Sequence, residues 1–269
     1  MPQLRDLPWR HTRDPWAVLV SEVMLQQTQV ERVIPHWFEF LESFPTPVAC
    51  AEASLGDVIR LWQGLGFPRR ARNLHSAARQ ITELGEFPRS LAGLLALDGV
   101  GAYTARAIRA FAFEQPSAVV DTNIARVLAR VAGQRLTAKQ VQAAADALLP
   151  HDQAWAWNQC LMDLGAVLCR PLNPGCGECP LQPGCRYRGV GDDPSIGSAG
   201  VSGRQSRFEG SDRQGRGRLI KALGLAPVDA AELASAMGWP DRPDRAERVA
   251  AGVVAERLAV FEDDTYRLP

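Results

Sequence analysis

Four of the six cysteines in this sequence crowd into one stretch of 17 residues. They are Cys169, Cys176, Cys179 and Cys185. The spacing Cys-x6-Cys-x2-Cys-x5-Cys brings four thiolates onto one short loop, enough to enclose a cubane iron–sulfur cluster. Four-coordinate zinc is the alternative, although zinc sites usually pair two Cys-x2-Cys units and only one is present here. The loop 169–185 is therefore predicted to bind metal, and its spacing favours a [4Fe–4S] cluster.

Two carboxylates lie in segments that are otherwise apolar or uncharged. Glu22 belongs to an amphipathic segment whose polar side is mostly uncharged, and Asp121 follows an apolar run and opens a helical pattern. Taken singly, Glu22 fits an ordinary surface glutamate and Asp121 fits a helix N-cap. As a pair they suit cleavage of a glycosidic bond, which needs an acid for the leaving group and an anion facing an oxocarbenium-like sugar.

Two glycines, Gly99 and Gly101, separate one helical pattern from the next. Glycine permits a turn whose backbone N–H groups point outward at a helix N-terminus, where a phosphate can be held without a charged side chain. Helices joined by a glycine turn also occur in many proteins that bind nothing, so the pattern alone decides neither reading.

Helical periodicity dominates the chain up to the cysteines, and proline and glycine separate the helical segments. The predicted helices cover residues 15–27, 31–44, 55–65, 70–84, 91–96, 102–113, 122–132, 138–149 and 154–169. No strand alternation precedes residue 258. The first domain, residues 1–188, is therefore predicted to be all-α.

The composition changes after the cysteine loop. Residues 189–203 are rich in Gly, Ser and Asp, which predicts a flexible linker, placed at 189–209. Three short helical patterns follow, and the segment 259–268 alternates around an Asp-rich turn as a hairpin would. Residues 210–269 are therefore predicted to form a small winged-helix-like domain.

Length and charge limit the classes of protein to which the chain can belong. The 269 residues, 46% of them hydrophobic, suffice for two or three compact units. No run approaches the roughly 18 apolar residues of a membrane helix, and the first residues lack the apolar core of a signal peptide, so we expect a soluble intracellular protein without a membrane partner. With 30 basic and 30 acidic residues, any nucleic acid must be bound by local patches.

Seven motifs, running in order from about residue 5 to about residue 188, resemble those of the MutY adenine DNA glycosylases. These are helix-hairpin-helix glycosylases with an iron–sulfur loop. The motifs are LPWR at 7–10, SEVMLQQTQV at 21–30, GLGFPRRARN at 64–73, GVGAYTA at 99–105, VVDTNIARVLAR at 119–130, NQCLMDLG at 158–165 and the four cysteines. The resemblance implies a base-excision repair enzyme that removes adenine mispaired with 8-oxoguanine or guanine by N-glycosidic hydrolysis, without strong lyase activity.

The resemblance also assigns roles to the carboxylates and their neighbours. Glu22 would be the general acid that protonates adenine at N7, and Asp121 would stabilise the cationic sugar. Tyr103 and Asn123 match positions that orient these groups. A further set matches positions around an extruded adenine, although its two apolar members fit a core equally well. This set consists of Arg5, Leu7, Trp9, Arg10 and Gln159.

Other matched positions imply contacts with double-stranded DNA containing a mismatch or an oxidised guanine. Gln26 and Gln27 match a polar segment that enters the duplex, and Phe67 stands where the family usually has a wedging tyrosine. Gly99 and Gly101 would bind the backbone. Three arginines near Phe67 fit phosphate contacts and a solvated helix start equally well. They are Arg69, Arg70 and Arg72.

Three alternatives to this reading have different sequence signatures. Endonuclease III-type enzymes cut the strand through a hairpin lysine, but the hairpin here carries Tyr103, and Lys139 is the only lysine of the matched region. A thymine-mismatch glycosylase also carries tyrosine there, and the intact LQQTQV and LPWR segments disfavour it. A non-catalytic DNA-binding protein on the same scaffold is disfavoured because both Glu22 and Asp121 are retained.

The chain departs from the family at both ends. Family members usually have a helix before LPWR, whereas this chain begins six residues ahead of it, and residues 210–269 do not resemble the Nudix-like domain that senses 8-oxoguanine. Arginines around the start of the C-terminal domain would add phosphate contacts or only make the linker soluble. They are Arg204, Arg207, Arg213, Arg216 and Arg218. We expect a monomer in the bacterial cytoplasm, associated with the nucleoid through DNA.

Overall fold

The structure is a computed structural model that describes residues 4–201 and 207–269. Its chain forms two units. Within the described residues, the first consists of residues 4–18, 89–95 and 100–201, and the second of residues 19–88, 96–99 and 207–269. No described helix is long and apolar enough to cross a membrane.

Most of the described chain is helical, as the periodicity predicts. The α-helices are α1 (Pro15–Leu25), α2 (Val30–Ser43), α3 (Pro47–Glu52), α4 (Leu55–Leu61), α5 (Arg69–Leu84), α6 (Leu91–Leu95), α7 (Ala102–Phe111), α8 (Thr122–Ala132), α9 (Ala138–Leu148), α10 (Ala154–Asp163), α11 (Asp212–Leu225), α12 (Leu233–Ala236) and α13 (Pro243–Ala255). Short 3-10 helices occur at Pro8–Arg10, His151–Gln153, Cys176–Glu178, Gln182–Gly184 and Ala230–Glu232. The all-α prediction for the first domain is confirmed.

Local chemistry sets the ends of the helices that carry candidate residues. The side chain of Asp121 accepts a hydrogen bond from the backbone of Ile124 and so caps α8, which ends where Gly133 adopts a left-handed conformation. Helix α5 ends in the same way at Gly85. Helix α10 continues into a π-helix, Leu164–Leu168, which leads directly to Cys169.

The first unit has its core between helices α7, α8 and α10. The side chains of Ile108 and Ile124 are fully buried there. Asn158 of α10 donates hydrogen bonds to the carbonyls of Ser117 and Ala154 and accepts one from the amide of Val119. It therefore fixes the segment of the chain that leads into α8. The backbone before Asp121 is thereby held by a buried amide side chain.

The second unit combines α2–α5 with the C-terminal domain. Phe40 and Trp62 form an edge-to-face pair in its core. In the C-terminal domain, α11–α13 pack together, and a three-stranded antiparallel sheet has the order β1 (Val228–Asp229), β3 (Thr265–Arg267), β2 (Val260–Glu262). The hairpin predicted at the end of the chain corresponds to β2–β3. Strand β1 was not predicted, because two residues are too few to show an alternation of apolar and polar side chains.

Part of the segment predicted as a flexible linker is fixed on the first unit. Ser195 and Ser198 are buried, and the amide of Leu136 donates to the hydroxyl of Ser198 while the amide of Ala199 donates to the Leu136 carbonyl. Composition hides these contacts because small polar side chains can bond backbone groups as well as solvent. The domain boundaries at 189 and 209 stay predictions, and Arg204 lies outside the described residues.

Candidate active site and cysteine loop

Asp121 is both a helix cap and a carboxylate with a raised pKa. Its Oδ1 accepts from the Ile124 amide at 2.7 Å, and its Oδ2 accepts from the Asn123 side chain at 2.8 Å. Burial raises the pKa of the Asp121 carboxyl above its ordinary value because desolvation disfavours the charged form, and these hydrogen bonds offset part of the rise. The cap interpretation and the catalytic interpretation are therefore compatible.

A chain of hydrogen bonds connects Asp121 to the cysteine loop inside the first unit. Arg126, which is buried, donates to the side chain of Asn123 at 2.8 Å and to the carbonyl of Cys169 at 2.7 Å. It also donates to the carbonyl of Gly165 at 2.6 Å, in the π-helix. Because the amide oxygen of Asn123 is held by Arg126, its NH2 group must face Asp121.

Gly165 lies under this network. A Cβ atom built on it would lie 2.5 Å from the Cβ of Asn123, closer than real contacts allow. Glycine is therefore required for the π-helix to approach α8 at this point. Tyr103 belongs to the same unit, where it is half-buried in the first turn of α7.

The segment expected to line a base pocket is held by Asp163, which the sequence analysis did not single out. Arg10 donates to both Asp163 oxygens at 2.8 Å, and Arg5 donates to the same carboxylate through its backbone amide and its side chain. The two arginines hold the pKa of Asp163 below its ordinary value, although burial opposes them. An aspartate inside the apolar helix α10 is the signal that could have revealed this contact.

The structure brings the expected pocket residues of the first unit into one neighbourhood. Leu7, Trp9 and Arg10 are all buried in or beside the 3-10 turn Pro8–Arg10, and Gln159 is buried on α10, one helical turn before Asp163. The guanidinium of Arg10 is occupied by Asp163 and by the Arg5 carbonyl. The side chain of Arg10 is therefore held in one position, where it stabilises the segment that contains the 3-10 turn.

Glu22 belongs to the second unit. It lies in α1 among the buried residues Ser21 and Val23 and is only 5% exposed. The interpretation as an ordinary surface glutamate is wrong, because a surface position would leave the side chain in water. A glutamate buried in a largely apolar helix carries a desolvation cost that a structural role alone seldom requires.

Arg70 joins the two segments that were expected to enter DNA. Its guanidinium donates to the carbonyls of Val23, Met24 and Gln26, then to the Thr28 hydroxyl and to the carbonyls of Leu65 and Gly66, at distances of 2.8–3.0 Å. It is 8% exposed, and burial lowers its pKa to about 10. Of the two alternatives left open for Arg70, a solvated helix start does not fit its burial, and a phosphate contact is disfavoured because both terminal nitrogens donate inside the protein.

Phe67 stands on the turn that Arg70 supports. It is 42% exposed and adopts a left-handed backbone conformation, with φ of 48°, and the Arg70 guanidinium lies 5.4 Å from its ring centroid. Gln27 is exposed and also left-handed, with φ of 57°. A non-glycine residue held in this conformation is uncommon and marks a strained, preorganised turn.

The glycine turn between α6 and α7 is built on α5. The backbone amide of Asp98 donates to the side-chain oxygen of Gln80 at 2.8 Å, and the Asp98 carboxylate accepts from the Ser76 hydroxyl. A Cβ on Gly99 would lie 2.7 Å from the Cβ of Asn73. Gly99 has φ of 76°, so it is needed both for conformation and for space. A Cβ on Gly101 would meet no atom within 4 Å, so this side of the turn is open.

The four clustered cysteines line one cavity in the first unit, together with Leu168, Arg130 and Tyr187. All four are free and half-buried. Within residues 4–201 and 207–269, no group of three or more His, Cys, Asp or Glu side chains is arranged to hold a single ion. Four thiols that line one cavity suit a polynuclear cluster, because a cluster occupies more space than a single ion.

Arg130 organises the cysteine loop. It donates to the Cys169 sulfur at 3.3 Å and to the carbonyls of Cys169 and Arg170, and Asp193 pairs with it at 2.6 Å. A buried guanidinium beside the sulfurs suits a site whose thiolates carry negative charge. Arg126 and Arg130 are four residues apart on the apolar face of α8, and arginines at such positions are the signal that the sequence analysis missed.

Comparison with known proteins identifies the family. The model of the HhH-GPD superfamily base excision DNA repair proteins matches residues 20–151. The adenine DNA glycosylase of Mycobacterium tuberculosis strain H37Rv is 42% identical over 98% of this chain and 89% of its own length. The chain belongs to the MutY-type adenine DNA glycosylase family. It is accordingly a base-excision repair DNA glycosylase, an enzyme that hydrolyses N-glycosidic bonds.

Other relatives of this glycosylase extend the comparison. The human adenine DNA glycosylase is 41% identical over 74% of the chain and 40% of its own length. Among solved structures, a thermostable thymine-DNA glycosylase aligns with a TM-score of 0.66 and 31% identity, covering 69% of this chain and 89% of that one. A complex of endonuclease III with DNA aligns at 0.63 and 24% identity over 70% and 89%, and supports the fold alone. The helix-hairpin-helix prediction is confirmed.

Proposed function

We propose that this glycosylase binds double-stranded DNA and removes adenine mispaired with 8-oxoguanine or guanine. The observation that carries the proposal is the setting of the two carboxylates: Glu22 is buried in α1, and Asp121 is half-buried and fixed by two hydrogen bonds at the start of α8. The relatives of 39–42% identity that span most of the chain are named adenine DNA glycosylases, which favours adenine as the base.

Each carboxylate has a role that its environment supports. Glu22 acts as the general acid whose proton makes adenine a leaving group, and its burial keeps bulk water away from this proton transfer. Asp121 stabilises the positive charge that develops on the sugar. Asn123 orients Asp121 through the hydrogen bond from its NH2 group, and Tyr103 helps to position these groups. The buried residues Leu7, Trp9 and Gln159, with Arg5 and Arg10 behind them, shape the pocket for the extruded base.

The cysteine loop is proposed to hold a [4Fe–4S] cluster. The ligands would be the four thiolates that line the cavity, and the cluster would supply a rigid staple for a loop that otherwise has only short 3-10 turns. Arg130 and Arg126 connect this loop to α8. Iron and sulfide analysis of anaerobically purified protein tests the assignment, and zinc without iron would contradict it.

Base excision is tested with a duplex containing one adenine opposite 8-oxoguanine, guanine or cytosine. We expect excision opposite 8-oxoguanine and guanine, and Glu22→Gln should lower it by at least about 100-fold, the usual scale of general acid–base catalysis. Glu31→Gln, on the exposed side of α2, is the matched control. A near wild-type rate for Glu22→Gln would contradict the role of Glu22.

The similarity to the thymine-DNA glycosylase structure supports a second candidate substrate, thymine opposite guanine. The same assay includes this duplex as an arm. Release of thymine without release of adenine would replace the proposed substrate while leaving the enzyme class unchanged. We also propose that the enzyme acts as a monomer in the bacterial cytoplasm, on nucleoid DNA.

A further inference from the structure

The C-terminal domain is attached to α4 and α5 by polar contacts inside the second unit. The carbonyl of Pro269 accepts from the Gly56 amide at 2.9 Å, and the side chain of Gln63 donates to the Ile220 carbonyl at 3.2 Å. A Cβ on Gly56 would lie 2.7 Å from the Pro269 oxygen, so glycine is required for this close approach. The domain is therefore fitted to the helices that carry the turn of Phe67.

Glu256, at the end of α13, is the focus of this attachment. Its carboxylate pairs with Arg216 of α11 at 2.5 Å and with Arg69 of α5 at 3.4 Å. Its backbone carbonyl accepts from Arg72 at 2.7 Å. Two arginines of α5 and one of the C-terminal domain thus converge on Glu256. Removal of its carboxylate would leave the positive charges of these arginines uncompensated.

The arginines held by Glu256 belong to α5, which follows the turn of Phe67, and the resemblance to the family implies that Phe67 contacts DNA. Arg69 is the first residue of α5 and lies two positions after Phe67, so its anchoring fixes the end of the turn that presents the exposed ring. Arg72 also donates to Asn73, whose side chain lies against Gly99 of the glycine turn. The C-terminal domain is connected through α5 to both features.

Part of the positive charge of the C-terminal domain is paired within the second unit. Three consecutive acidic residues are exposed here: Glu262 at the end of β2, then Asp263 and Asp264 in the turn that leads to β3. Arg245 and Arg248 of α13 both pair with Asp212, and Arg216 is taken by Glu256. The expectation that Arg216 adds a phosphate contact is therefore disfavoured, because its charge is already paired.

We propose that the C-terminal domain positions the DNA-binding turn rather than reading the lesion, and that Glu256 is the positioning residue that holds Phe67 through Arg69. The inference rests on the proposed function and on the resemblance to the family, which implies that Phe67 stacks in the duplex. It goes beyond that function by assigning a role to residues 207–269, for which the sequence motifs of the family provide none.

The test uses the full chain with its metal and the variant Glu256→Gln. Affinity is measured on a duplex carrying a stable abasic-site analogue, whose binding does not require excision. Removal of a negative charge near bound DNA would by itself tighten binding, whereas loss of the contact that positions Phe67 should weaken it. We expect binding to weaken about threefold to fivefold, the range of a partly exposed ion pair. Glu247→Gln, an exposed neighbour on α13, is the control and should not weaken binding.

A double-mutant cycle separates positioning from a general effect on stability. In the Phe67→Ala background, Glu256→Gln should no longer change the affinity, because the residue that it positions is absent. The fluorescence of 2-aminopurine placed beside the abasic analogue should rise less on binding of Glu256→Gln than of wild type, since the ring enters the stack less often. Glu256→Asp should restore part of both signals.

Three results would overturn the inference: unchanged or tighter binding by Glu256→Gln, the same loss in the Phe67→Ala background, or an equal loss from Glu247→Gln. Wild-type excision of adenine is recorded in parallel on the 8-oxoguanine duplex. Failure there would contradict the proposed function, whereas the affinity ratios on the abasic duplex judge the role of Glu256, so the two failures are distinguishable.

Discussion

Replacement of Arg70 by methionine should destabilise the glycosylase more than replacement of any exposed arginine. The guanidinium of Arg70 closes the C-terminal end of α1 by binding the carbonyls of Val23 and Met24, and it binds the Leu65 carbonyl of the turn before Phe67. Methionine fills similar volume but donates nothing. These three buried carbonyls would lose their charged donor, while the three partly buried acceptors could turn to water.

The expected cost follows from this count. Each buried acceptor left without a partner costs about 1–3 kcal/mol, and removal of one member of a buried charged network costs about 3–5 kcal/mol in total. A loss of this size lowers the melting temperature by roughly 2–4 °C per kcal/mol in a protein of this length, so a fall of about 6–20 °C is expected. Because the pKa of Arg70 is lowered only to about 10, the charge is present at pH 7.5.

The assay is thermal unfolding of Arg70→Met beside Arg69→Met, whose side chain is 64% exposed and should cost less than about 1 kcal/mol. At a temperature where both variants remain folded, Arg70→Met should also bind the abasic-site duplex more weakly, since the segments of Gln26 and Phe67 share this support. A melting temperature for Arg70→Met within about 2 °C of that of Arg69→Met would refute the reasoning.

Three further predictions concern the first unit. Arg126→Gln breaks the contact with Asn123 and should lower single-turnover excision on the order of 100-fold, the cost of misplacing a catalytic group, while duplex affinity changes little. Asp121→Asn removes a carboxyl whose pKa is raised by folding. In the wild type the native state holds this proton more tightly than the unfolded chain does, so the free energy of unfolding falls as pH rises from about 4. In urea unfolding, the stability of the variant relative to wild type should therefore be greater at pH 7.5 than at pH 4. Wild-type excision should decline as pH falls through that raised pKa. Cys176→Ser should lose iron, measured per chain, whereas Cys160→Ser, outside the cavity, should retain it.

The helices of the first domain could be predicted because each buries one apolar face over several turns. Helix α3 could not, because six residues are too few for periodicity, although Thr46 as N-cap and Pro47 at the first position mark its start. The π-helix Leu164–Leu168 depends on Gly165 and on the acceptors that it offers to Arg126. These are tertiary contacts, and no local pattern encodes them.

The candidate site divides in the same way. The cysteine ligands and both carboxylates have local signatures, since spacing marks Cys169–Cys185 and an acidic residue in an apolar segment marks Glu22. Asp163 and Asp193 were missed because each acquires its role from an arginine far away in sequence, 153 residues away for Arg10 and 63 for Arg130. Only the fold can bring such partners together.

Arginine is the residue for which sequence and structure differ most. Arg10, Arg70, Arg126 and Arg130 are buried, and each guanidinium donates to at least two groups inside the protein, one of them a backbone carbonyl. A planar guanidinium can hold two segments at once, which suits these four positions. Part of the positive charge of the chain is therefore structural, because these buried guanidinium groups donate to partners inside the protein and are not available to phosphates.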